Sequence, residues 1–193
     1  MKLLKIIFSP VIDFFGKKFG ILFNKYAMGK TLECYDVQQI ANLYAAFSSA
    51  QYYCHNMTQV KTFHEKKDFL IYAVNQYTIK GMFLEFGVAS GYTLEIISSA
   101  TDEIIYGFDS FEGLPEHWRP GFEKGTFAQE IPTTRENVEL IIGFFRDTLP
   151  KFAQLHNEAI AFMHIDCDLY SSTKTIFDVI GDKIVPGTII VMG

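Results

Sequence analysis

The chain has 193 residues, of which 49% are hydrophobic and 16% aromatic, so it is long and apolar enough to bury the core of one globular domain. This composition excludes a chain that is disordered throughout. The net charge of −5 argues against a nucleic-acid-binding protein, and the three irregularly spaced cysteines predict neither a disulfide framework nor a zinc site. Reduced thiols in a cytoplasmic protein are the simplest interpretation.

The N-terminal segment is basic and apolar, with six lysines and one aspartate in residues 1–30. Lysines, Pro10 and Asp13 interrupt every apolar run before it is long enough to span a bilayer. Two interpretations stay open for residues 1–23. The pattern favours a helical arm that packs on its own domain or on another subunit, and the alternative is a segment that lies on a membrane surface.

The remaining elements alternate between helical and strand patterns. In chain order, the predicted elements are a helix at 33–50, a helix at 64–77, a strand at 82–87, a helix at 91–100, a strand at 104–109, a strand at 138–142, a helix within 147–156, a strand at 159–165, a helix at 171–182 and a strand at 188–192. Continuous apolar strands alternating with helices predict a Rossmann-like α/β fold, a mostly parallel sheet with helices on both faces. We therefore expect an N-terminal helical appendage over residues 1–60 and an α/β domain over residues 61–193.

The first predicted strand ends in the sequence EFGVASG, residues 85–91, which is a turn of small residues between a strand and a helix. Such a turn leaves backbone N–H groups free at the helix start and lets a ligand approach the backbone closely. Glu85 is placed to hold a hydroxyl or amino group of a cofactor. The spacing E-x-G-x-x-x-G differs from the dinucleotide fingerprint G-x-G-x-x-G, which favours S-adenosylmethionine (SAM) over a nicotinamide cofactor.

A second acidic residue, Asp109, ends the second predicted strand. Its carboxylate is able to accept two hydrogen bonds from a ribose diol. The competing interpretation is a turn cap, because Asp109 and Ser110 open a long loop. Since the glycine turn precedes it, we favour the ligand-binding interpretation. In the long loop itself, Trp118 and Phe122 either shape an acceptor pocket or anchor the loop.

A third acidic segment, Asp166-Cys167-Asp168, follows the fourth predicted strand. Two carboxylates at this spacing suit Mg²⁺, which takes few protein ligands and keeps several waters. We expect Asp166 to be functional, whereas Asp168 stays open because it is also placed to cap the next helix. His164 lies on the same strand face as Asp166, and for it we favour a core histidine over a general base.

Four segments carry a resemblance to a known family. They are FLEFGVASGYTLEIIS, YGFDSFEGLPEHWR with KGTF, VELIIGFFRDTLPKF and FMHIDCDLYSSTKTIFDVIGDKIVPGTIIV, and they occur in this order over residues 82–192. Together they resemble the class I SAM-dependent methyltransferases and, more narrowly, the TylF/macrocin O-methyltransferase group, which methylates sugar hydroxyls in natural products. The stretches FDSFEGLPE and HIDCDLYSST are long and unusual enough to be specific.

The resemblance implies a cofactor, an activity and a set of site residues. The residues that it implies for SAM binding are Glu85, Gly87, Ala89, Ser90, Gly91, Asp109, Ser110, Gly143 and Phe144. It implies that Asp166 is catalytic and binds Mg²⁺, which orients the acceptor hydroxyl. The expected activity is O-methylation of a hydroxyl on a sugar or other small natural-product acceptor.

The resemblance also implies an acidic metal-binding segment, two strands and a helix beyond the fifth strand, whereas the printed chain stops at Gly193. The fifth strand would then form an exposed apolar edge, which natural proteins avoid. We therefore expect a domain truncated after the fifth strand, as a fragment of a longer protein.

Two alternative functions stay open. A nucleotide-sugar glycosyltransferase would use the D-x-D motif, but it leaves the glycine turn and Asp109 unexplained. The other alternative is a non-catalytic binding module that has the SAM-methyltransferase fold. We expect a cytoplasmic protein that acts on a small molecule and binds no nucleic acid, and whether it forms a homo-oligomer stays open.

Overall fold

The structure is a computed structural model that describes Lys18 and residues 37–193, and the chain divides into two compact units, residues 1–61 and 62–193. Apart from Lys18, the predicted arm over residues 1–23 lies outside the described residues. No helix in the described ranges combines the length and the apolar content needed to cross a bilayer.

The described part of the first unit contains helix α1, Val37–Asn56, whose residues are all exposed. The sequence predicted a helix over residues 33–50, so α1 continues further than predicted. Two local hydrogen bonds support the extra turn, because the side chains of His55 and Asn56 bond to backbone carbonyls four residues earlier.

The second unit alternates strands and helices as predicted. Its elements are α2 (Lys66–Val74), β1 (Met82–Phe86), α3 (Tyr92–Ser99), β2 (Ile105–Asp109), β3 (Val138–Ile142), α4 (Phe145–Leu155), β4 (Ile160–Ile165), α5 (Tyr170–Ile180) followed by a short 3₁₀ turn (Gly181–Lys183), and β5 (Ile189–Met192). The predicted strands and helices of this unit are all present, with their ends shifted by a few residues.

The five strands form one parallel sheet in the order β3-β2-β1-β4-β5. The chain builds outward from β1 on one side through β2 and β3, and then returns to place β4 and β5 on the other side. The strand order therefore reverses between β1 and β4. In sheets of this kind, ligands bind beyond the carboxyl ends of the strands at such a reversal.

The core lies on both faces of this sheet. Every residue of β1 and β4 is buried, as expected for central parallel strands. One apolar cluster contains Leu70 of α2 and Ile97 of α3, and a second contains Leu149 of α4 and Ile176 of α5. Burial of each such side chain stabilises the fold by about 1.5–3 kcal/mol. The packing on both faces gives the strand ends a rigid support.

Candidate active site

A cavity of about 660 Å³ opens at the carboxyl ends of the strands, and its volume suits a small-molecule site. Among its lining residues are eight of the ten residues predicted to form the site. These are Gly87, Ala89, Ser90, Asp109, Ser110, Gly143, Phe144 and Asp166. They lie at or just after the ends of four different strands, so only the sheet topology brings them together. Their contact with a cofactor stays a prediction.

The glycine turn after β1 approaches the end of β4 very closely. Gly87 has a φ of +92°, and a Cβ built on it would lie 2.0 Å from the carbonyl oxygen of Asp166. Ala89 also has a positive φ, +48°, which costs a non-glycine residue about 1–2 kcal/mol. Gly91 is the N-cap of α3 at φ +80°, beneath Pro132, and it does not line the cavity. Apart from Val88, the turn therefore lines the cavity with glycine, alanine and serine, which carry little side-chain bulk.

Asp109 caps the turn after β2, as one of the two interpretations of its position predicts, and its binding of a ligand stays a prediction. One oxygen, Oδ2, accepts a hydrogen bond from the backbone N–H of Ala89 at 2.8 Å. The other, Oδ1, accepts one from the N–H of Phe111 at 2.8 Å and so caps the turn at the start of the long loop. Asp109 also lines the cavity, and an ionised carboxylate offers about four acceptor sites, so two remain for a ligand.

Glu85 does not lie in the cavity wall, which differs from the direct cofactor contact expected of it. Its side chain is fully buried, and Oε1 accepts a hydrogen bond from the Thr93 hydroxyl and pairs with His164 Nδ1 at 2.9 Å. The strand register places Glu85 directly opposite His164. Within the described part of the chain, Oε2 of Glu85 and Nε2 of His164 have no hydrogen-bond partner. Glu85 therefore holds the start of α3 through the Thr93 hydroxyl. His164 is buried in the core, as the sequence analysis favoured.

Asp166 lines the cavity at the end of β4 and pairs with a residue that the sequence analysis missed. The ammonium of Lys66 lies 2.9 Å from Asp166 Oδ2, and both side chains are partly exposed. Lys66 is the first residue of α2, and it also lines the cavity. The sequence carried a signal for this pairing, because a lysine in the first turn of a helix interacts unfavourably with the helix dipole and so suggests a partner outside the helix.

Asp168 and Cys167 complete the acidic side of the cavity. Asp168 has a φ of +58°, a strained conformation of the kind that clusters at functional sites. Burial and, secondarily, the negative charge of Asp166 raise the pKa of Asp168, and the charge of Arg119 opposes this rise. Burial likewise raises the pKa of the Cys167 thiol, against a hydrogen bond with Thr173 that lowers it. Asp168 lines the cavity, and it does not cap α5, whose N-cap is Leu169 without a side-chain hydrogen bond.

The long loop after β2 covers one side of the cavity, and its aromatic residues divide into two roles. Trp118 and Phe122 pack edge to face at 5.3 Å, with the Arg119 guanidinium over both rings. Neither ring lines the cavity, so the structure agrees with the loop-anchor interpretation. Phe127 contacts Phe122 and does line the cavity.

A hydrogen bond joins this loop to α5 at the cavity edge. The Ser171 hydroxyl donates to Glu116 Oε1 at 2.6 Å, and both residues line the cavity. Ser172 and Thr175, from the same end of α5, add two more hydroxyls to the lining. The sequence analysis did not single out these four residues, although Glu116 and Ser171 lie inside the two stretches that carry the resemblance.

The carboxylates at the cavity are chemically suited to bind a magnesium ion. No cluster of three or more His, Cys, Asp or Glu side chains that could hold a metal ion occurs within the described ranges. Mg²⁺ commonly binds proteins through only one or two carboxylates and completes its shell with water and substrate oxygens. Asp166 and Asp168 supply two such hard donors to the cavity.

The fold and the site together define a class of protein. A parallel sheet whose first strand ends in a glycine turn, and whose second ends in an acidic residue at the same cavity, is the architecture of the class I SAM-dependent methyltransferases. The family described as "Methyltransferase domain" matches residues 84–193, so the chain belongs to that family. Its cofactor is therefore SAM. This finding sets aside the glycosyltransferase alternative. No curated protein sequence matches the chain.

Solved methyltransferase structures match the chain at low sequence identity. CalS11, described as a calicheamicin methyltransferase, is 19% identical with a TM-score of 0.57, over 84% of this chain and 79% of that chain. The O-methyltransferase NovP is 20% identical with a TM-score of 0.49, over 66% and 63% of the two chains. An apo structure of CalS11, described as a TDP-rhamnose 3'-O-methyltransferase, is 19% identical with a TM-score of 0.49, over 79% and 74%. The first of these matches confirms the predicted Rossmann-like fold.

Proposed function

We propose that this chain transfers the methyl group of SAM to a hydroxyl oxygen on a sugar or other small natural-product acceptor. The observation that carries the proposal is that one cavity is lined both by the glycine turn with Asp109 and by Asp166 with the first turn of α5. We assign the first of these walls to the cofactor and the second to the acceptor. Cofactor and acceptor would therefore meet in one cavity. The resemblance to the TylF/macrocin group supports the acceptor class.

On the cofactor side, each residue would have a distinct role. Gly87, Ala89 and Ser90 would cradle the methionine part of SAM with their backbone, as positive-φ turns with little side chain permit. Asp109 would bind the ribose hydroxyls with the acceptor sites that Ala89 and Phe111 leave free. Ser110 continues this wall. Gly143 and Phe144, which follow β3 and line the cavity, would contact the adenine.

On the acceptor side, three hydroxyls and a carboxylate line the cavity, those of Ser171, Ser172, Thr175 and Glu116. The Ser171 hydroxyl donates to Glu116 and the Thr175 hydroxyl to the Ser171 carbonyl, so both offer acceptor oxygens to a ligand, and the Ser172 hydroxyl also offers a donor. A polyhydroxylated acceptor needs such a wall, because each buried hydroxyl that lacks a partner costs about 1–3 kcal/mol. The composition of the wall therefore supports a sugar over an apolar acceptor.

Asp166 would act at the reacting hydroxyl. SAM supplies a methyl carbon that its positively charged sulfur makes electrophilic. Methyl transfer would form the oxygen–carbon bond as the carbon–sulfur bond breaks with its electron pair staying on sulfur, and the Asp166 carboxylate would take the acceptor proton. Most of the remaining rate enhancement would come from holding the reacting atoms in line.

We propose that Asp166 also binds Mg²⁺, with the carboxylate of Asp168 nearby as a second oxygen donor. When bound, Mg²⁺ would supply Lewis-acid polarisation of an acceptor oxygen. The donor chemistry of the two aspartates supports this assignment.

We propose that residues 1–60 form an appendage to the catalytic domain that begins near residue 61. The division of the chain into compact units one residue later, after Lys61, supports this boundary. We also propose a cytoplasmic location, supported by the free thiols of Cys54 and Cys167.

Calorimetric titration with SAM, with and without Mg²⁺, tests the cofactor assignment. The Asp109→Asn variant should bind SAM about tenfold or more weakly, because a charge-assisted hydrogen bond contributes about 1.5–3 kcal/mol. Asp102→Asn, an exposed change in the loop before β2, is the matched control and should bind as the unmodified chain does. Circular dichroism would establish that both variants are folded.

The outcomes separate the remaining functions. Failure of the folded chain to bind SAM would contradict the proposal. Binding of SAM followed by methyl transfer to a member of a panel of nucleotide sugars and glycosides would support it. Binding of SAM without transfer to any hydroxyl acceptor would favour the non-catalytic binding module.

A further inference from the structure

We propose that Lys66 is a tethered cation that competes with a divalent metal ion for the carboxylate of Asp166, an inference that rests on the metal part of the proposed function. The Lys66 ammonium lies 2.9 Å from Asp166 Oδ2, and both residues line the cavity. The pair therefore lies at the position where the metal would bind. The side chains are 46% and 37% exposed, so water and ions reach both groups.

The location of Lys66 in the chain indicates that its charge does not serve the local structure. Lys66 is the first residue of α2, directly after the N-cap Glu65. A positive charge at this end of a helix is unfavourable, because the first N–H groups already carry partial positive charge. The partner that offsets this cost lies 100 positions away, at the end of β4. The tertiary contact with Asp166 is thus the one favourable interaction of the Lys66 charge that the structure describes.

Competition follows from the geometry of the pair. The ammonium donates to Asp166 Oδ2, and a metal ion would need lone pairs of the same carboxylate. Two positive groups at one carboxylate repel each other, so the carboxylate binds a metal ion more tightly when Lys66 moves away. The exchange is easy, because exposed ion pairs are weak and the lysine stem is flexible. Lys66 would keep Asp166 paired in the absence of metal and release it when metal enters.

Calorimetric titration of the whole chain with MgCl₂ tests the competition directly, without reference to activity. The Lys66→Met variant keeps the length of the stem and removes the charge, so it should bind Mg²⁺ about two- to fivefold more tightly, the range that an exposed ion pair supports. The difference should shrink at high ionic strength, because salt screens exposed charges. Lys66→Arg keeps the charge and should bind as the unmodified chain does.

Lys67→Met is the matched control. Lys67 is the next residue of the same helix, is exposed and does not line the cavity. The Lys67→Met substitution removes the same charge from the chain and should leave the Mg²⁺ affinity unchanged. Lys66→Gln serves as a second variant without the charge, in case Lys66→Met does not fold.

Asp166→Asn distinguishes failure of this inference from failure of the metal assignment. If Asp166→Asn loses Mg²⁺ binding while Lys66→Met and Lys66→Gln match the unmodified chain, the competition is overturned and the metal site stands. If Asp166→Asn retains Mg²⁺ binding, or if no variant binds Mg²⁺, both ideas are overturned. Tighter binding by the two Lys66 variants, with Lys67→Met unchanged, supports the inference.

Discussion

The carboxylate of Asp109 accepts a hydrogen bond from the backbone N–H of Ala89 at 2.8 Å, and this contact ties the end of β2 to the turn after β1. The other carboxylate oxygen accepts the N–H of Phe111, where the long loop begins. Ala89 has a positive φ, which only a surrounding structure that holds it in place can maintain. The residue predicted to bind the ribose therefore also shapes the turn that is predicted to cradle the cofactor.

Gly87→Ala should destabilise the fold strongly, because the new Cβ would lie 2.0 Å from the carbonyl oxygen of Asp166. The atom that the Cβ would meet belongs to the backbone, so no flexible side chain is able to move aside. The positive φ alone costs about 1–2 kcal/mol, and the clash adds to it. We expect urea unfolding to show a loss of more than about 2 kcal/mol in the free energy of unfolding.

Gly121→Ala is the matched control for this prediction. Gly121 has a nearly equal φ, +87°, and a Cβ built on it would meet nothing within 4 Å. It should therefore lose only the conformational part, about 1–2 kcal/mol. Equal losses in the two variants would show that the close approach of Gly87 to Asp166 is unimportant for stability.

Glu85→Gln should affect stability more than cofactor affinity. Its carboxylate is fully buried and hydrogen-bonded to Thr93 and His164, and disturbing buried hydrogen bonds of this kind costs about 1–3 kcal/mol. Glu95→Gln removes a partner of the exposed pair with Arg135 and should cost about 1 kcal/mol or less. Urea unfolding measures both losses.

SAM titration of the folded Glu85→Gln variant then tests where this side chain acts. Because Glu85 lies outside the cavity wall, the folded fraction should bind SAM with nearly unchanged affinity. If the variant kept its stability but lost SAM binding, the result would favour a direct contact between Glu85 and the cofactor, as the sequence analysis expected.

Ser171→Ala should loosen the long loop, since it removes the hydrogen bond to Glu116 at the cavity edge. A neutral hydrogen bond contributes about 0.5–1.5 kcal/mol, so trypsin should cut after Lys124 in the exposed loop about two- to tenfold faster. Mass spectrometry of timed digests would give the cleavage rate at this site.

Ser172→Ala is the control for the loop experiment, because the Ser172 hydroxyl has no hydrogen bond to the loop in the described part of the chain. Faster cleavage in Ser171→Ala alone would support a loop held by Glu116. The same rate in both variants would mean that the Glu116 contact does not hold the loop in solution.

The sequence by itself determined the order and type of the elements of the second unit and most of its candidate site. Apolar runs, small-residue turns and acidic residues at strand ends are local signals, so they predicted the positions of the strands, the turn at Gly87 and the rim residues Asp109 and Asp166. Local patterns suffice for these because each depends only on neighbours in the chain.

Only the tertiary structure decided which side chains meet. Glu85 belongs to the core because the register of β1 against β4 places it opposite His164, and no local pattern encodes that register. Lys66 reaches Asp166 across 100 positions because the sheet order brings α2 to the end of β4. Contacts of this range depend on how the whole chain packs. The sequence therefore predicted the strand ends that form the cavity but missed the lysine that pairs with the carboxylate of Asp166.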